Sequence, residues 1–269
     1  MKPADISSSA EEKQCCANLY ESDFAKLLLG ESFHPGGLKL TERLGYLLQL
    51  GPHSSVLDVA SGNGASAFFL AENFGCSVIG VDYGKHNVEA ATAVVAERGV
   101  SSRVRFEQAD AEQLPFADTS FDAVICECAF CTFPDKARAA REFARVLRPG
   151  GMVGISDLTR SGELSKELDS LLAWIACITE ALPIEKYQEW FSSAGLIPQR
   201  TESHDEALLE MVRQVQAKLL GIEVMKGLKR IDLPGIDLTA VKQMAKAALA
   251  AAQSGQIGYA ILTAEKPRL

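Results

Sequence analysis

The sequence predicts an α/β fold, a mostly parallel sheet with helices packed on both faces. Three observations predict it. Between residues 54 and 158, short apolar runs alternate with stretches of helical spacing. A glycine-rich turn, Ser61-Gly62-Asn63-Gly64, follows the first apolar run and opens a helix. Asp58, Asp82 and Asp110 then stand at the ends of three successive runs. Strand–helix units of this length need crossover connections, and those produce a parallel sheet covered on both sides.

Each element follows from its pattern. Residues 11–29 have helical spacing, with Leu19, Phe24, Leu27 and Leu28 on the apolar side, and GESFHPGG breaks the run. A second helix, 38–50, stops at Gly51-Pro52. SSVLDVA is the first strand and AFFLAENF the helix after the glycine turn. CSVIGVD and HNVEAATAVVAERG form the next strand and helix, VRFEQAD and FDAVICE the third and fourth strands. KARAAREFARVL is a helix ended by Arg148-Pro149-Gly150-Gly151, and MVGISDL is the fifth strand. Residues 162–182 carry a helical stripe of Leu164, Leu168, Leu171, Ile175, Ile178 and Leu182. IEKYQEWFSSAG is a helix and LIPQRTES a strand. Two helices, 205–227 and 238–253, precede a closing strand, GYAILTAEKP. The expected organisation is an N-terminal helical lid (1–50), a sheet domain (51–204), a helical insertion (205–255) and a last strand (256–269) returning to the same sheet.

Composition narrows the function. The chain has 269 residues, 47% of them hydrophobic, enough for one large core. Its net charge of −8 and lack of a basic cluster argue against nucleic acid as a partner. The apolar runs are too short to span a membrane. The polar start, MKPADISSSAEEKQCC, has no apolar signal core, so a cytoplasmic protein with no membrane partner is expected. Seven cysteines are an odd count and too sparse for a disulfide scaffold. Free thiols in a reducing compartment point to catalysis or soft-metal binding.

The glycine turn lets a backbone approach a ligand closely, and acids at the carboxyl edge of a parallel sheet are placed where ligands bind. Asp82 lies 20 residues after Gly62, the spacing at which an acid meets a ribose. A nicotinamide cofactor would want a third glycine, which Ser66-Ala67 does not supply, and Asp58 suits a cationic or amine-bearing ligand better than a pyrophosphate. VLDVASGNG, VIGVDYG, ADAEQLPF, FDAVICE and VLRPGG, in that order, resemble the motifs of class I S-adenosylmethionine-dependent methyltransferases. The resemblance covers residues 38–160 and the final strand pair. It implies a Rossmann-like, seven-stranded sheet with an antiparallel last strand and S-adenosyl-L-methionine as cofactor. It places Gly62, Asn63 and Gly64 against the methionine part, Asp82 on the ribose, and Tyr83, Asp110, Ala111 and Glu112 around the adenine. Asp58, Ala60, Ser61 and Glu127 complete the implied set.

Three cysteines, Cys126, Cys128 and Cys131, cluster where the fourth strand leaves the sheet. Cys76 reads as a small core residue. CECAFCTFPDKARAAREFARVLRPGGMVGISDL further resembles arsenite methyltransferases, in which the cysteine six residues before Pro-Asp-Lys binds trivalent arsenic; that position is Cys128. Trp174-Ile175-Ala176-Cys177 matches the family's next ligand segment. Where the family has a further cysteine just before the first strand, this chain has Leu29-Gly30-Glu31, and it has no cysteine-rich tail. Cys15 or Cys16 then becomes the candidate third thiolate. The implied reaction is metalloid detoxification: methyl transfer to arsenite held by Cys128, Cys177 and Cys15 or Cys16, with a thiol reductant as partner. Soft As(III) selects thiolates, and its lone pair would be the nucleophile, so the protein would supply orientation rather than acid–base chemistry. Two alternatives stand beside it. One is a methyltransferase of a quinone-like or other apolar metabolite, covered by the helices of 205–253. The other is a non-catalytic thiol-based metalloid sensor on the same fold.

Overall fold

The structure is a computed structural model that describes residues 11, 13–14, 27–28, 34–163, 168, 178–228 and 237–268. The strands are β1 (Ser55–Val59), β2 (Ser77–Asp82), β3 (Val104–Gln108), β4 (Phe121–Glu127), β5 (Leu147–Arg160), β6 (Ile197–Ser203) and β7 (Ile257–Glu265). They form one seven-stranded sheet in the order β3-β2-β1-β4-β5-β7-β6. Neighbours from β3 to β5 are parallel, and β7 runs antiparallel to both β5 and β6. This is the sheet the sequence predicts, antiparallel last strand included.

The helices are α1 (Leu38–Leu47), α2 (Ala65–Phe74), α3 (Lys85–Glu97), α4 (Lys136–Val146), α5 (Ile184–Ser193), α6 (Asp205–Gly227) and α7 (Leu238–Gln253). A short 3₁₀ turn, Phe130–Thr132, follows β4. In β1 and β4 successive residues are buried, not alternate ones, which requires cover on both faces of the sheet. Helix α4 shows how the cover is specified. Asp135 caps it by accepting from the Arg138 amide, and Ala139, Ala140, Phe143 and Val146 make its buried stripe. Helix α7 is capped likewise, Asp237 accepting from the amides of Thr239 and Ala240. Helices α6 and α7 pack on each other and on β7.

The largest boundary differences from the sequence reading are at α1 and β5. Helix α1 ends at Leu47, not Leu50. Strand β5 starts at Leu147, five residues earlier than Met152, and extends to Arg160. The Pro-Gly-Gly turn is held within the ladder because Gly150 donates to the Lys266 carbonyl and Lys266 to that of Gly151. Long-range pairing with the C-terminal segment outweighs the local turn signal there. Most of the helices expected at 11–29 and 162–182 lies outside the described residues.

Two polar anchors tie helices to distant segments. Arg145 on α4 donates to the carbonyls of Leu114 and Phe116, to Asp118 and to Glu142, pinning the loop after β3. Arg43 on α1 makes a two-pronged pair with Glu202 on β6 (2.9 and 2.6 Å), fixing α1 across the sheet.

The glycine turn is fixed by one aromatic ring. A Cβ on Gly64 would come within 2.4 Å of the Phe106 ring, and Gly64 has φ +81. A Cβ on Gly80 would meet the same ring at 2.4 Å and the Ser61 hydroxyl at 2.8 Å. Overpacking of this kind costs about 1–3 kcal/mol. Gly80→Ala should therefore lower unfolding stability by about that much in a urea titration. It should also disturb the turn, read as weaker binding of whatever the turn holds.

Candidate cofactor and acceptor site

A cleft of about 150 Å³ opens at the carboxyl edge of the sheet. Its floor is the end of β1, Asp58 to Ala60, and the turn that leads into α2. Ala60 has φ 59 and Cys128 φ 54, so two non-glycine residues at the cleft occupy the left-handed region. Such backbone strain costs on the order of 1–3 kcal/mol each and persists where the surroundings over-determine it. For Cys128 the surroundings are visible. Its amide donates to the Ser156 carbonyl at 2.6 Å, and the Cys131 amide donates to the buried Asp157 carboxylate at 2.8 Å. Asp157 also accepts from the Leu158 amide. The turn after β4 is thereby tied to β5.

Three carboxylates converge at the cleft. Asp82, at the end of β2, accepts from the amides of Gly62 and Gly84 (both 2.8 Å) and from the Asn87 side chain (3.2 Å). Glu127, at the end of β4, accepts from the hydroxyls of Ser66 (2.6 Å), Thr41 (2.9 Å) and Ser156 (3.2 Å). Nε2 of the buried His34 lies 3.6 Å from the Glu127 carboxylate. Asp58 is buried, and its Oδ2 has no hydrogen-bond partner; the buried Ser61 hydroxyl has none either. Burial, and then the charges of Glu127 and Asp82, push the Asp58 carboxyl well above its ordinary value, an effect the Ala67 amide only partly offsets.

Most residues named from the sequence line this cleft: Asp58, Ala60, Ser61, Gly62, Asn63, Asp82, Tyr83, Asp110, Ala111, Glu127 and Cys128. Gly64 and Glu112 do not. Gly64 packs on Phe106 behind the turn. Glu112 is buried, accepting from Lys13 and from the Asp135 amide. His86 is exposed on α3, whose first turn directs the next residue, Asn87, inward. Cys76, Cys126 and Cys131 are fully buried. Burial, followed by the charges of Asp157, Asp58 and Glu127, raises the Cys126 pKa, so it stays a neutral thiol. Cys15, Cys16 and Cys177 lie outside the described residues. Among the described residues no cluster of three or more His, Cys, Asp or Glu is arranged to hold a metal ion.

Sequence reasoning missed Lys13, Thr41, Ser66, Asn87 and Ser156. Thr41 had a legible signal, a polar residue on the buried stripe of α1 beside Leu40 and Leu44. Ser66, one turn inside α2, had none beyond its closeness to the glycines.

The strand order, the antiparallel β7 and a cleft at the carboxyl ends of β1, β2 and β4 define a Rossmann-like fold of the class I methyltransferase type. Residues 57–155 match the family model described as a methyltransferase domain. The chain is 32% identical to methyltransferase GfsG of Streptomyces halstedii, over 86% of this chain and 81% of that protein. It is 28% identical to the 27-O-demethylrifamycin SV methyltransferase of Amycolatopsis mediterranei (strain S699), over 91% and 94%. Its fold also matches the crystal structure of the [4+2]-cyclase SpnF, with a TM-score of 0.77, 23% identity and 98% of each chain covered. The chain belongs to the class I S-adenosylmethionine-dependent methyltransferases. The family's methyl donor is S-adenosylmethionine.

The residues present fit that donor. It carries an ammonium and a sulfonium, and the cleft offers several carboxylates against them. The unpartnered Asp58 Oδ2 and Ser61 Oγ are polar atoms that a bound ligand can satisfy. Among the described residues no helix is long and apolar enough to cross a membrane.

The raised pKa of Asp58 has a consequence for stability. The folded chain holds this proton to higher pH than the unfolded chain, where the ordinary value is 3.8. Its contribution to stability therefore falls as pH rises above about 4 and is lowest beyond the folded pKa. Asp58→Asn should remove that fall, leaving the ligand-free protein more stable than the parent at neutral pH. Thermal unfolding of both proteins between pH 5 and 8 checks it: the difference should widen as pH rises.

Proposed function

We propose that the methyl acceptor is a small organic molecule bound against the segment that leaves β4. The observation that carries this reading is the make-up of that wall. Ala129, Phe133 and Pro134 give it an apolar surface beside Glu127 and His34, the pairing of apolar lining with a few polar groups that small-molecule sites share. The relative that acts on a rifamycin, as its name states, supports an organic acceptor.

In this reading Asp82 holds the ribose of the donor, Asp110 the adenine amino group, and Asp58 with Ser61 the ammonium. When bound, the donor supplies an electrophilic methyl group on a sulfonium. The chain supplies the rest. The turn at Gly62 and the left-handed Ala60 let the backbone come close to the ligand. His34 and Glu127 are the groups positioned to take the proton that an acceptor hydroxyl loses as it is methylated. Orientation of the two partners contributes up to roughly 7–11 kcal/mol of barrier lowering when fully realised.

A second reading is favoured by Cys128. Cys128 lines the cleft, and its backbone is held in a strained conformation there. A trivalent metalloid such as arsenite, bound by Cys128 with Cys177 and Cys15 or Cys16, would displace the thiol protons on binding and offer its own lone pair to the methyl group. No base is needed in that case.

One experiment separates the readings. The protein is incubated with methyl-labelled S-adenosylmethionine and either arsenite or a panel of hydroxylated polyketides and quinols. The expected result is label in an organic product, with Cys128→Ser retaining activity within about threefold and His34→Ala losing on the order of 10²-fold. Arsenite-dependent transfer that collapses in Cys128→Ser and Cys177→Ser, with no organic product, would replace the first reading by the second. Donor binding without transfer to any of these acceptors would count against both and leave the sensor alternative.

A further inference from the structure

Lys13 reaches the cleft from the N-terminal side of the chain. Its ammonium lies 3.0 and 2.8 Å from the two Asp110 oxygens and 2.6 Å from Glu112 Oε2. An ammonium has three donors, and these contacts can employ all of them. The lysine side chain is 12% exposed, that of Glu112 7% and that of Asp110 34%. This is therefore a partly buried cluster and not a solvated surface pair. Burial works to lower the Lys13 pKa, but the hydrogen bonds and charges of Asp110 and Glu112 outweigh it and raise the pKa above its ordinary value.

The two acids already belong to the framework of the site. Asp110 Oδ1 accepts from the Glu112 amide at 2.9 Å, which curls the chain after β3. Glu112 Oε1 accepts from the amide of Asp135, the residue that caps α4. Two carboxylates drawn together in this way repel each other unless a cation lies between them. Lys13 is that cation, and it lines the same cleft as Tyr83, Asp110 and Ala111.

We propose that Lys13 is a positioning residue of the cofactor site: by holding Asp110 and Glu112 together it fixes the carboxylate that accepts from the adenine amino group. The inference rests on the assignment of Asp110 to the adenine made above. Lys13 acts on the donor and not on the acceptor, so its loss changes donor affinity more than the rate of transfer.

The test uses the full chain and S-adenosylhomocysteine as the probe, with affinity measured by calorimetry. Lys13→Met, similar in length but uncharged, should weaken binding about tenfold, and Lys13→Arg should keep it within about threefold. KM for S-adenosylmethionine should rise by a similar factor while kcat changes less than about threefold. The decisive arm is a double-mutant cycle. In a Glu112→Gln background the repulsion is already relieved, so the same Lys13→Met change should cost only about twofold. Lys13→Gln serves in its place if the methionine variant does not fold. Parental affinity in folded Lys13→Met, or an equal loss with and without Glu112, would overturn the proposal. No binding of the probe by the parent protein would overturn the cofactor assignment itself.

Discussion

Three acids, Asp58, Asp82 and Glu127, sit at or near the carboxyl ends of three neighbouring parallel strands, and all are nearly out of water. Taking an unpaired carboxylate into a protein interior costs several kcal/mol, so each of these groups must be accommodated. The chain does so in three different ways. Asp82 is ringed by backbone amides from the turn and from the start of α3. Glu127 is ringed by hydroxyls from α1, α2 and β5, with His34 beside it. Asp58 keeps one oxygen without a partner, and burial with the charges of Glu127 and Asp82 pushes its carboxyl pKa well up. The first two arrangements set the shape of the cleft. The third leaves it incomplete until a positive ligand arrives, a form of stability given up at a working site.

The same hydrogen bonds explain why distant segments meet at the edge of the sheet. Glu127 gathers Thr41, Ser66 and Ser156, residues separated by up to 115 positions, at one carboxylate. Tyr259 on β7 extends this set by donating to the carbonyl and hydroxyl of Ser156. That carbonyl in turn receives the amide of Cys128. A largely buried polar network of this kind is favourable only if its members are satisfied together, so the last strand, the fifth strand and the turn after β4 must dock in one arrangement. The left-handed backbone of Cys128 is a local cost of that docking, tolerated because the network over-determines it.

Much of this was legible in the sequence, and the limit of legibility has a physical basis. The glycine turn, Asp58, Asp82 and Asp110 could be read because each sits at a fixed offset from an apolar strand, and strand ends in a parallel sheet share one edge. The seven strands were readable for the same reason of local pattern. Thr41, Ser66 and Ser156 were not, because a hydroxyl in a helix or strand carries no signal of which distant acid it will meet. Lys13 was hidden for a stronger reason: its partners are 97 and 99 residues away and its own neighbourhood is merely polar. The start of β5 was misread because Pro-Gly-Gly is a good local turn, and only its pairing with Lys266 makes it part of a strand. The cysteines show the converse. Clustering in sequence suggested a shared role, yet Cys126 and Cys131 are packed in the core, and among the three only Cys128 lines the cleft.

The charge of the cleft bears on which acceptor it can serve. Two unit charges 4 Å apart at an effective dielectric of 20 interact by about 4 kcal/mol. A floor already carrying Asp82 and Glu127 therefore opposes the build-up of an oxyanion from an acceptor hydroxyl. In the proposed reaction the proton must leave as the methyl bond forms, and His34, its Nε2 3.6 Å from the Glu127 carboxylate, is the group proposed to take it. A metalloid acceptor escapes the constraint, since its nucleophile is a neutral lone pair and its protons are lost on binding to thiols. The two chemistries thus place their demands on different side chains along one wall of the same cleft, Glu127 with His34 in one case and Cys128 in the other. The shortest hydrogen bond to Glu127, 2.6 Å from Ser66, and the hydroxyls of Thr41 and Ser156 fix that carboxylate in place at the acceptor end. A carboxylate beside an imidazole has a direct use in proton removal and none in holding a soft atom, which is why the organic acceptor is the stronger reading of this wall.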